Sequence, residues 1–340
     1  MEFLPTLWFV IIAVFWTGYL FLEGFDLGVG MLMKLLARNE RQRRVLLNTI
    51  GPVWDGNEVW LITAGAATFA AFPMWYASLF SALYLPLVLV LVALIFRAVA
   101  FEYRGKAHRQ ATRNAWDWAI GLGSFTAAFG VGAMLALTTT GLPLDANGDR
   151  VGGALAWLNG SAVLGGLAVV AFALVHALAF VGLKTEGELR ERARRLIGRW
   201  LPVALLPMAA WALLVVVPTG KPAALGLLGL AVIGAVASWL ANRSGAEGWS
   251  FTWSGIFLLG GVSSIFVAVF PVVLPSTLGA AFDLTVANAS SSPYTLGLMS
   301  VIAAFGIPLV LLYQGWTYWV FRRRVSEHHI PPSHHVTPVV

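Results

Sequence analysis

The chain has 340 residues, of which 59% are hydrophobic and only 11% are charged, with a formal net charge of +6. Soluble domains carry about 25% charged residues, so this composition excludes an ordinary soluble enzyme and favours an integral membrane protein. A membrane barrel would show short alternating segments instead of long apolar runs. The absence of cysteine excludes disulfides and thiolate ligation of iron–sulfur clusters in this chain.

Long apolar runs predict an all-α, polytopic membrane protein with about nine spans, since one span needs about 20 mostly apolar residues. The predicted spans are residues 6–36, 50–72, 77–101, 114–137, 153–183, 200–217, 222–241, 253–275 and 295–321. The first is read as a span and not as a cleaved signal peptide, because it lacks a basic start and its apolar run is too long. The sixth and seventh are separated at Pro218–Pro222, which is a strong turn signal.

Lys and Arg are distributed unevenly along the chain. Of the 22, 19 fall in segments 34–44, 104–113, 184–199 and 322–324 or at Arg243, all on one side of a nine-span arrangement. Positive loops stay in the cytoplasm, so the N-terminus is predicted to face outward and the C-terminus to face the cytoplasm. These basic residues lie in loops beside the membrane, which argues against a nucleic-acid partner.

One transmembrane domain is predicted over residues 1–326, followed by a disordered cytoplasmic tail over 327–340. The tail is polar and rich in proline, and its four histidines are His328, His329, His334 and His335. Clustered imidazoles could bind a metal. A solvated tail without a metal is the favoured interpretation.

Four carboxylates lie within the first two predicted spans: Glu23 and Asp26 in the first, Asp55 and Glu58 in the second. A charge at the bilayer centre costs roughly 2.5–3.5 kcal/mol on insertion scales. The members of each pair are three residues apart and therefore share a helix face. Measured from Lys34 at 1.5 Å per residue, Asp26 lies about 12 Å deep and Glu23 about 16 Å. The four groups are predicted to form a ladder from the cytoplasmic surface toward the middle of the membrane.

Three uses of this ladder remain open at this stage. The carboxylates can relay protons inward, they can anchor basic or polar residues of a partner, or they can join helices by hydrogen bonds without any transport. Arg97 is the one nearby cation within a span, and it can extend toward the interface. One arginine does not neutralise four carboxylates. Some of them are therefore expected to be protonated, hydrated or paired with another subunit.

Three further polar residues are candidates for an interface or a polar network: Arg97, His176 and Asp117. His176 is the one histidine within a predicted span, and a haem with two histidine ligands would need a second. No phosphate-binding loop, dinucleotide fingerprint, zinc motif or nucleophile triad is recognisable. The chain is predicted to bind no cofactor or metal and to have no catalytic residue of its own.

Specific motifs resemble subunit II of the cytochrome bd-type quinol oxidases. The matching segments are Gly24–Gly30, Gly51–Leu61, Phe96–Arg104, Trp116–Trp118, Lys184–Leu189, Phe270–Ser276 and Asn288–Ser292. They occur in the family's order along nearly the whole chain, and the block WDGNEVWL is highly specific. Two departures are mild: Glu58 stands where relatives can carry Gln, and Ala177 where relatives often have Gly.

The resemblance implies a fold of two four-helix bundles plus one extra helix, in a bacterial plasma membrane. It implies a partner, subunit I, that carries haems b and d and the quinol site, in a complex that oxidises quinol and reduces O2 to water. Small accessory subunits, membrane lipid and quinone are further possible partners. This chain would support assembly and contribute Asp26, Asp55, Glu23 and Glu58 to a proton path from the cytoplasm.

Two other functions compete with the oxidase subunit. A proton-coupled transporter also has carboxylates at mid-membrane and helices broken by Gly and Pro, and it would act without a haem partner. A structural membrane scaffold would tolerate neutral substitutions at all four carboxylates. The motif match favours the oxidase subunit over both.

Overall fold

The computed structural model describes residues 3–331 and is built almost entirely of helices, as predicted. The helices are α1 Phe3–Leu36, α2 Glu40–Ile50, α3 Trp54–Ala71, α4 Pro73–Ala82, α5 Tyr84–Tyr103, α6 Gln110–Thr140, α7 Gly160–Lys184, α8 Gly187–Ala204, α9 Leu206–Val216, α10 Pro222–Arg243, α11 Glu247–Val269, α12 Val286–Ala289 and α13 Pro293–Val320. Two short strands, β1 Val272–Leu274 and β2 Leu284–Thr285, pair antiparallel between α11 and α12.

Eight helical stretches within residues 3–331 are long and apolar enough to cross a membrane. They correspond to α1, α5, α6, α7, the α8–α9 pair, α10, α11 and α13. The predicted span 50–72 corresponds to α3, whose 18 residues include Asp55 and Glu58. At 1.5 Å per residue α3 is about 27 Å long, close to the roughly 30 Å hydrocarbon core. It is not among the eight apolar stretches because Asp55, Asn57 and Glu58 in its first turns lower its mean hydropathy.

Two segments predicted as basic linkers are helical instead. Residues 40–50 form α2, and residues 187–199, predicted to be loop, form the first part of α8. The reason is an amphipathic pattern: α8 buries Leu189, Ala193 and Ile197, spaced four apart, while most of its arginines lie on the other faces. Conversely, two predicted spans are too long. The predicted span 153–183 begins too early, because residues 153–159 precede α7 and are not helical. The predicted span 253–275 ends too late, because α11 ends at Val269, before Pro271.

The spans form two groups of four and one peripheral helix, as expected. The first group contains α1, α3, α5 and α6, and the second contains α7, the α8–α9 pair, α10 and α11. The groups meet where α1 and α6 pack on α7. Helix α13 lies outside both groups against α1 and α3, and most of its surface is exposed.

Glycines bring α1 close to α7. A Cβ atom added at Gly28 would lie 2.0 Å from the carbonyl oxygen of Ala173 and 2.4 Å from the Cβ of Ala177. The Gly24–Gly28 step therefore lets the two backbones approach as a small-xxx-small motif does. This contact fixes α1, and with it Glu23 and Asp26, relative to the second group.

The C-terminal segment crosses the end of the bundle that carries the basic loops. The amide of Val325 donates to the carbonyl of Lys184, and Gln42 donates to Glu327. Glu327–His329 form a short 3-10 turn, so ordered structure extends past the predicted boundary at 326. The rest of the predicted tail, residues 332–340 with His334 and His335, lies outside the described residues.

Candidate functional site

A buried ion triad joins three of the four helices of the first group, α1, α3 and α5. Arg97 on α5 lies 2.7 Å from Glu23 on α1 and 3.2 Å from Glu58 on α3, all measured from its Nη1 atom. Arg97 and Glu23 are fully buried, whereas the Glu58 side chain is 18% exposed. The ring of Phe101 lies 5.1 Å from the guanidinium carbon. Arg97 therefore points inward to the carboxylates and does not extend to the interface.

Asp26 lies one helical turn from Glu23 and is also fully buried. The side-chain amide of Asn57 donates to Oδ2 of Asp26 at 2.6 Å and to the carbonyl of Leu22 at 3.2 Å. Oδ1 of Asp26 receives no N–H or hydroxyl donor from the described residues, and the Asp26 carboxyl group lies within hydrogen-bond reach of the Glu23 carboxyl group. One oxygen of this carboxyl group is thus held, and the other is free to take part in proton exchange.

Helix α13 completes this network. Gln314 and Tyr318 both donate to Oδ1 of Asn57, each at 2.8 Å. Trp60 lies within 3.5 Å of the Gln314 side-chain oxygen. The polar network therefore runs across three helices, from α13 through α3 to α1.

Asp55 is exposed to solvent, whereas Asp26 is buried. Asp55 occupies the first turn of α3, and its charge acts on Glu58, three residues further along. The four predicted carboxylates thus run from an exposed group through a partly exposed one to two buried ones. The structure brings Glu23, Asp26 and Glu58 together around Arg97 and Asn57, with Asp55 at the edge.

Asp117 belongs to a separate ionic cluster. Its carboxylate binds Arg104, at the end of α5, and lies 3.5 Å from Arg43. Arg104 also makes two hydrogen bonds to Glu40, at 2.8 and 2.9 Å. Partial burial would raise the pKa of Glu40, but its hydrogen bonds with Arg104 and the charges of nearby arginines hold that pKa below its usual value. This cluster ties α2, α5 and α6 together.

His176 lies in an aromatic cage on α7, apart from the carboxylates. Its Nδ1 atom is 2.8 Å from the hydroxyl of Ser254, and its Nε2 atom is 3.0 Å from the carbonyl of Phe21. The rings of Phe172 and Phe251 stack on its two faces. A carbonyl only accepts hydrogen bonds, so Nε2 carries a proton. The single hydroxyl proton of Ser254 lies between two acceptors, Nδ1 of His176 and the carbonyl of Phe251. His176 joins α7 to α1 and α11.

Asn57, Gln314 and Tyr318 belong to the site but were not predicted from the sequence. Each is a polar side chain in a long apolar helix, which is the signal that could have singled them out. Tyr19 was missed as well: it lies four residues before Glu23, and its buried hydroxyl has no partner among the described residues. No group of three or more metal-ligating side chains occurs within residues 3–331.

The comparison with protein families decides which class of membrane protein this is. The profile described as "Cytochrome bd terminal oxidase subunit II" matches residues 4–321. The chain belongs to this family. As a cytochrome bd terminal oxidase subunit II it is a component of an oxidoreductase complex in a membrane.

Relatives of the subunit match over nearly their whole length. The chain is 42% identical to the cytochrome bd ubiquinol oxidase subunit 2 of Bacillus subtilis, over 96% of this chain and 98% of the relative. It is 32% identical to the cytochrome bd-I ubiquinol oxidase subunit 2 of Escherichia coli K12, over 98% of each. A chain in the structure of the bd oxidase from Geobacillus thermodenitrificans has the same fold, with a TM-score of 0.73 at 19% identity, over 94% of this chain and 99% of that one.

Proposed function

We propose that this chain is the subunit II of a complex that couples quinol oxidation to the reduction of O2 to water in a bacterial plasma membrane. Its partner would be a subunit I that holds haems b and d. The N-terminus would face outward and the C-terminus the cytoplasm. The observation that carries the proposal is the near-full-length match to relatives named as ubiquinol oxidase subunits.

Within residues 3–331, the one histidine inside a membrane-spanning helix, His176, does not fit an axial ligand of haem. Both ring nitrogens of His176 are engaged, by Ser254 and by the carbonyl of Phe21. Aromatic rings cover both faces of its imidazole. An axial ligand needs a free nitrogen directed at the metal, so we assign the haems to the partner and no redox step to this chain.

We further propose that the carboxylates deliver protons toward the oxygen-reducing centre of the partner. Water formation consumes protons at a site inside the membrane, and charge does not cross hydrocarbon unaided. Exposure falls from Asp55 through Glu58 to the buried Glu23 and Asp26. Arg97 compensates a single negative charge, which leaves the other carboxyl groups available to hold protons. A proton would enter at Asp55 and pass inward along this gradient.

A tagged purification from the native membrane tests the oxidase function. We expect a second large subunit, haem absorption bands and quinol-dependent O2 uptake in the same fraction. A folded, colourless chain without a partner would contradict the proposal and favour a proton-coupled transporter. Proton flux into vesicles that contain the purified chain alone would then distinguish a transporter from a scaffold.

A further inference from the structure

The Asn57 side chain has only one orientation that satisfies its neighbours. The carbonyl of Leu22 only accepts hydrogen bonds, so it must face the NH2 group of the amide. On the other side, the indole N–H of Trp60 only donates, so it faces the Gln314 oxygen and turns the Gln314 NH2 group toward the amide oxygen of Asn57. The Tyr318 hydroxyl donates to the same oxygen. These contacts do not involve Asp26. They determine that the NH2 group of Asn57, and not its oxygen, faces Asp26.

The fixed amide makes the two oxygens of Asp26 unequal. Oδ2 receives an N–H at 2.6 Å, whereas Oδ1 is buried and receives no N–H or hydroxyl donor from residues 3–331. The remaining hydrogen-bond neighbour of the Asp26 carboxyl group is the carboxyl group of Glu23. A rotated amide would turn its own oxygen toward Oδ2, and two acceptors would face each other. The orientation of Asn57 therefore decides which carboxyl oxygen is available to a proton.

Helix α13 supplies both donors that hold Asn57, although it belongs to neither four-helix group. Most of its surface is exposed, and Tyr318 and Gln314 are among its less exposed side chains. Packing alone does not require a tyrosine hydroxyl and a glutamine amide to converge on one oxygen inside an apolar helix pair. Buried polar groups in hydrocarbon are costly unless they are fully bonded.

We propose that α13 locks the Asn57 amide through Tyr318 and Gln314, which dedicates Oδ2 of Asp26 to a permanent N–H donor and leaves Oδ1 as the oxygen that accepts the proton. Asn57, Tyr318 and Gln314 are then positioning residues that act through Asp26. The proposal rests on the proton-path role proposed above for Asp26.

The test compares two tyrosine variants of α13 in the purified complex. Tyr318→Phe removes the hydroxyl that faces Asn57, and Tyr313→Phe is the matched control, because Tyr313 is 66% exposed on the same helix. We expect Tyr318→Phe to slow quinol-dependent O2 uptake by roughly two- to tenfold, the value of one hydrogen bond. Tyr313→Phe should leave the rate unchanged. Both variants should keep the haem spectrum and the partner subunit.

An infrared readout separates positioning from general stability. The carboxyl band of Asp26 is identified as the band lost in Asp26→Asn, and we expect it to shift in Tyr318→Phe and in Gln314→Leu. Because Tyr318 acts through Asn57, Asn57→Leu combined with Tyr318→Phe should be no slower than Asn57→Leu alone. An unshifted band, or rate losses that multiply in the double variant, would overturn the proposal.

The same data distinguish this proposal from the proton path on which it rests. If Asp26→Asn has normal turnover, the proton-path role of Asp26 is wrong, and with it the assignment of Oδ1 as proton acceptor. A band shift in Tyr318→Phe would still support the lock on Asn57 in that case. If Asp26→Asn is slow while the band is unmoved in Tyr318→Phe, the path stands and the lock is wrong.

Discussion

At the scale of single residues, Arg97 determines whether three carboxylates can be accommodated between apolar helices. It is fully buried and bridges Glu23 and Glu58. These carboxylates therefore compensate its charge, and its guanidinium group does not reach the membrane–water interface. Breaking a buried ion pair by removing one partner leaves an uncompensated charge, which costs about 3–5 kcal/mol in proteins. Arg97 is therefore a structural requirement of the cluster, whatever else the carboxylates do.

Arg97→Met should lower the thermal midpoint of the purified complex and its yield, because Glu23 would be left buried without its cation. Arg199→Met is the control, since Arg199 is exposed on α8. The double variant Arg97→Met with Glu23→Gln should recover part of the loss, because it removes the unpaired charge. Equal midpoints for the two single variants would contradict this account of Arg97.

The sequence was sufficient to single out the four carboxylates and Arg97, because charged groups are conspicuous in apolar runs. It did not give the pairing of Arg97 with Glu23 and Glu58, since that depends on how α5 lies beside α1 and α3. Asn57 was overlooked for a similar reason. Asn57 lies between Asp55 and Glu58 in the sequence, and its role in the site becomes visible only when its neighbours on α13 are known.

At the scale of elements, the contact between α1 and α7 shows how residue size positions the site. A side chain at Gly28 would meet the backbone of Ala173, which cannot move without displacing α7. The consequence extends to Glu23 and Asp26, because they lie on the same helix within two turns. Helix positions in this protein are thus set by close backbone approach in addition to side-chain packing.

Gly28→Ala should reduce the thermal midpoint and the yield of assembled complex, since its Cβ would lie 2.0 Å from the carbonyl oxygen of Ala173. Overpacking of this kind typically costs about 1–3 kcal/mol. Gly226→Ala on α10 is the matched control, because no atom lies within 4 Å of a Cβ there. The account fails if both variants are equally stable.

The ionic cluster around Glu40 predicts a pH effect at the junction of α2, α5 and α6. The pKa of Glu40 is lowered in the folded chain, so its stabilising contribution is present above the unfolded-state pKa and is lost as the pH falls through the lowered value. Acidification should therefore lower the thermal midpoint more in the wild type than in Glu40→Gln. Glu102→Gln, at an exposed glutamate, should behave like the wild type.

Apolar runs in the sequence predicted most of the spans, but they did not predict the amphipathic helices α2 and α8. Their charged residues suggested loops, whereas the four-residue spacing of Leu189, Ala193 and Ile197 was the signal for a helix that buries one face. The eighth predicted span, 253–275, continues past Pro271, although α11 ends at Val269. Element type was easier to predict than element ends, because ends depend on local caps and turns.

At the scale of the whole molecule, the two four-helix groups are joined through α1, α6 and α7, and α13 lies outside them. In this arrangement Glu23, Asp26, Glu58 and Arg97 lie inside the first group. Helix α13 packs beside them and is connected to Asp26 through Asn57. The order of exposure, from Asp55 inward, is a property of the assembled helices and not of any one of them. This gradient is the physical basis on which we propose a proton path from the surface into the membrane.

The most direct test of this account is the rate of quinol-dependent O2 uptake by the purified complex carrying Asp55→Asn. Asp149→Asn, at an exposed loop residue, is the matched control. If Asp55 admits protons, its variant should turn over roughly tenfold more slowly or worse, with the haem spectrum and partner subunit retained. Turnover equal to that of Asp149→Asn would contradict the proton path at its entrance.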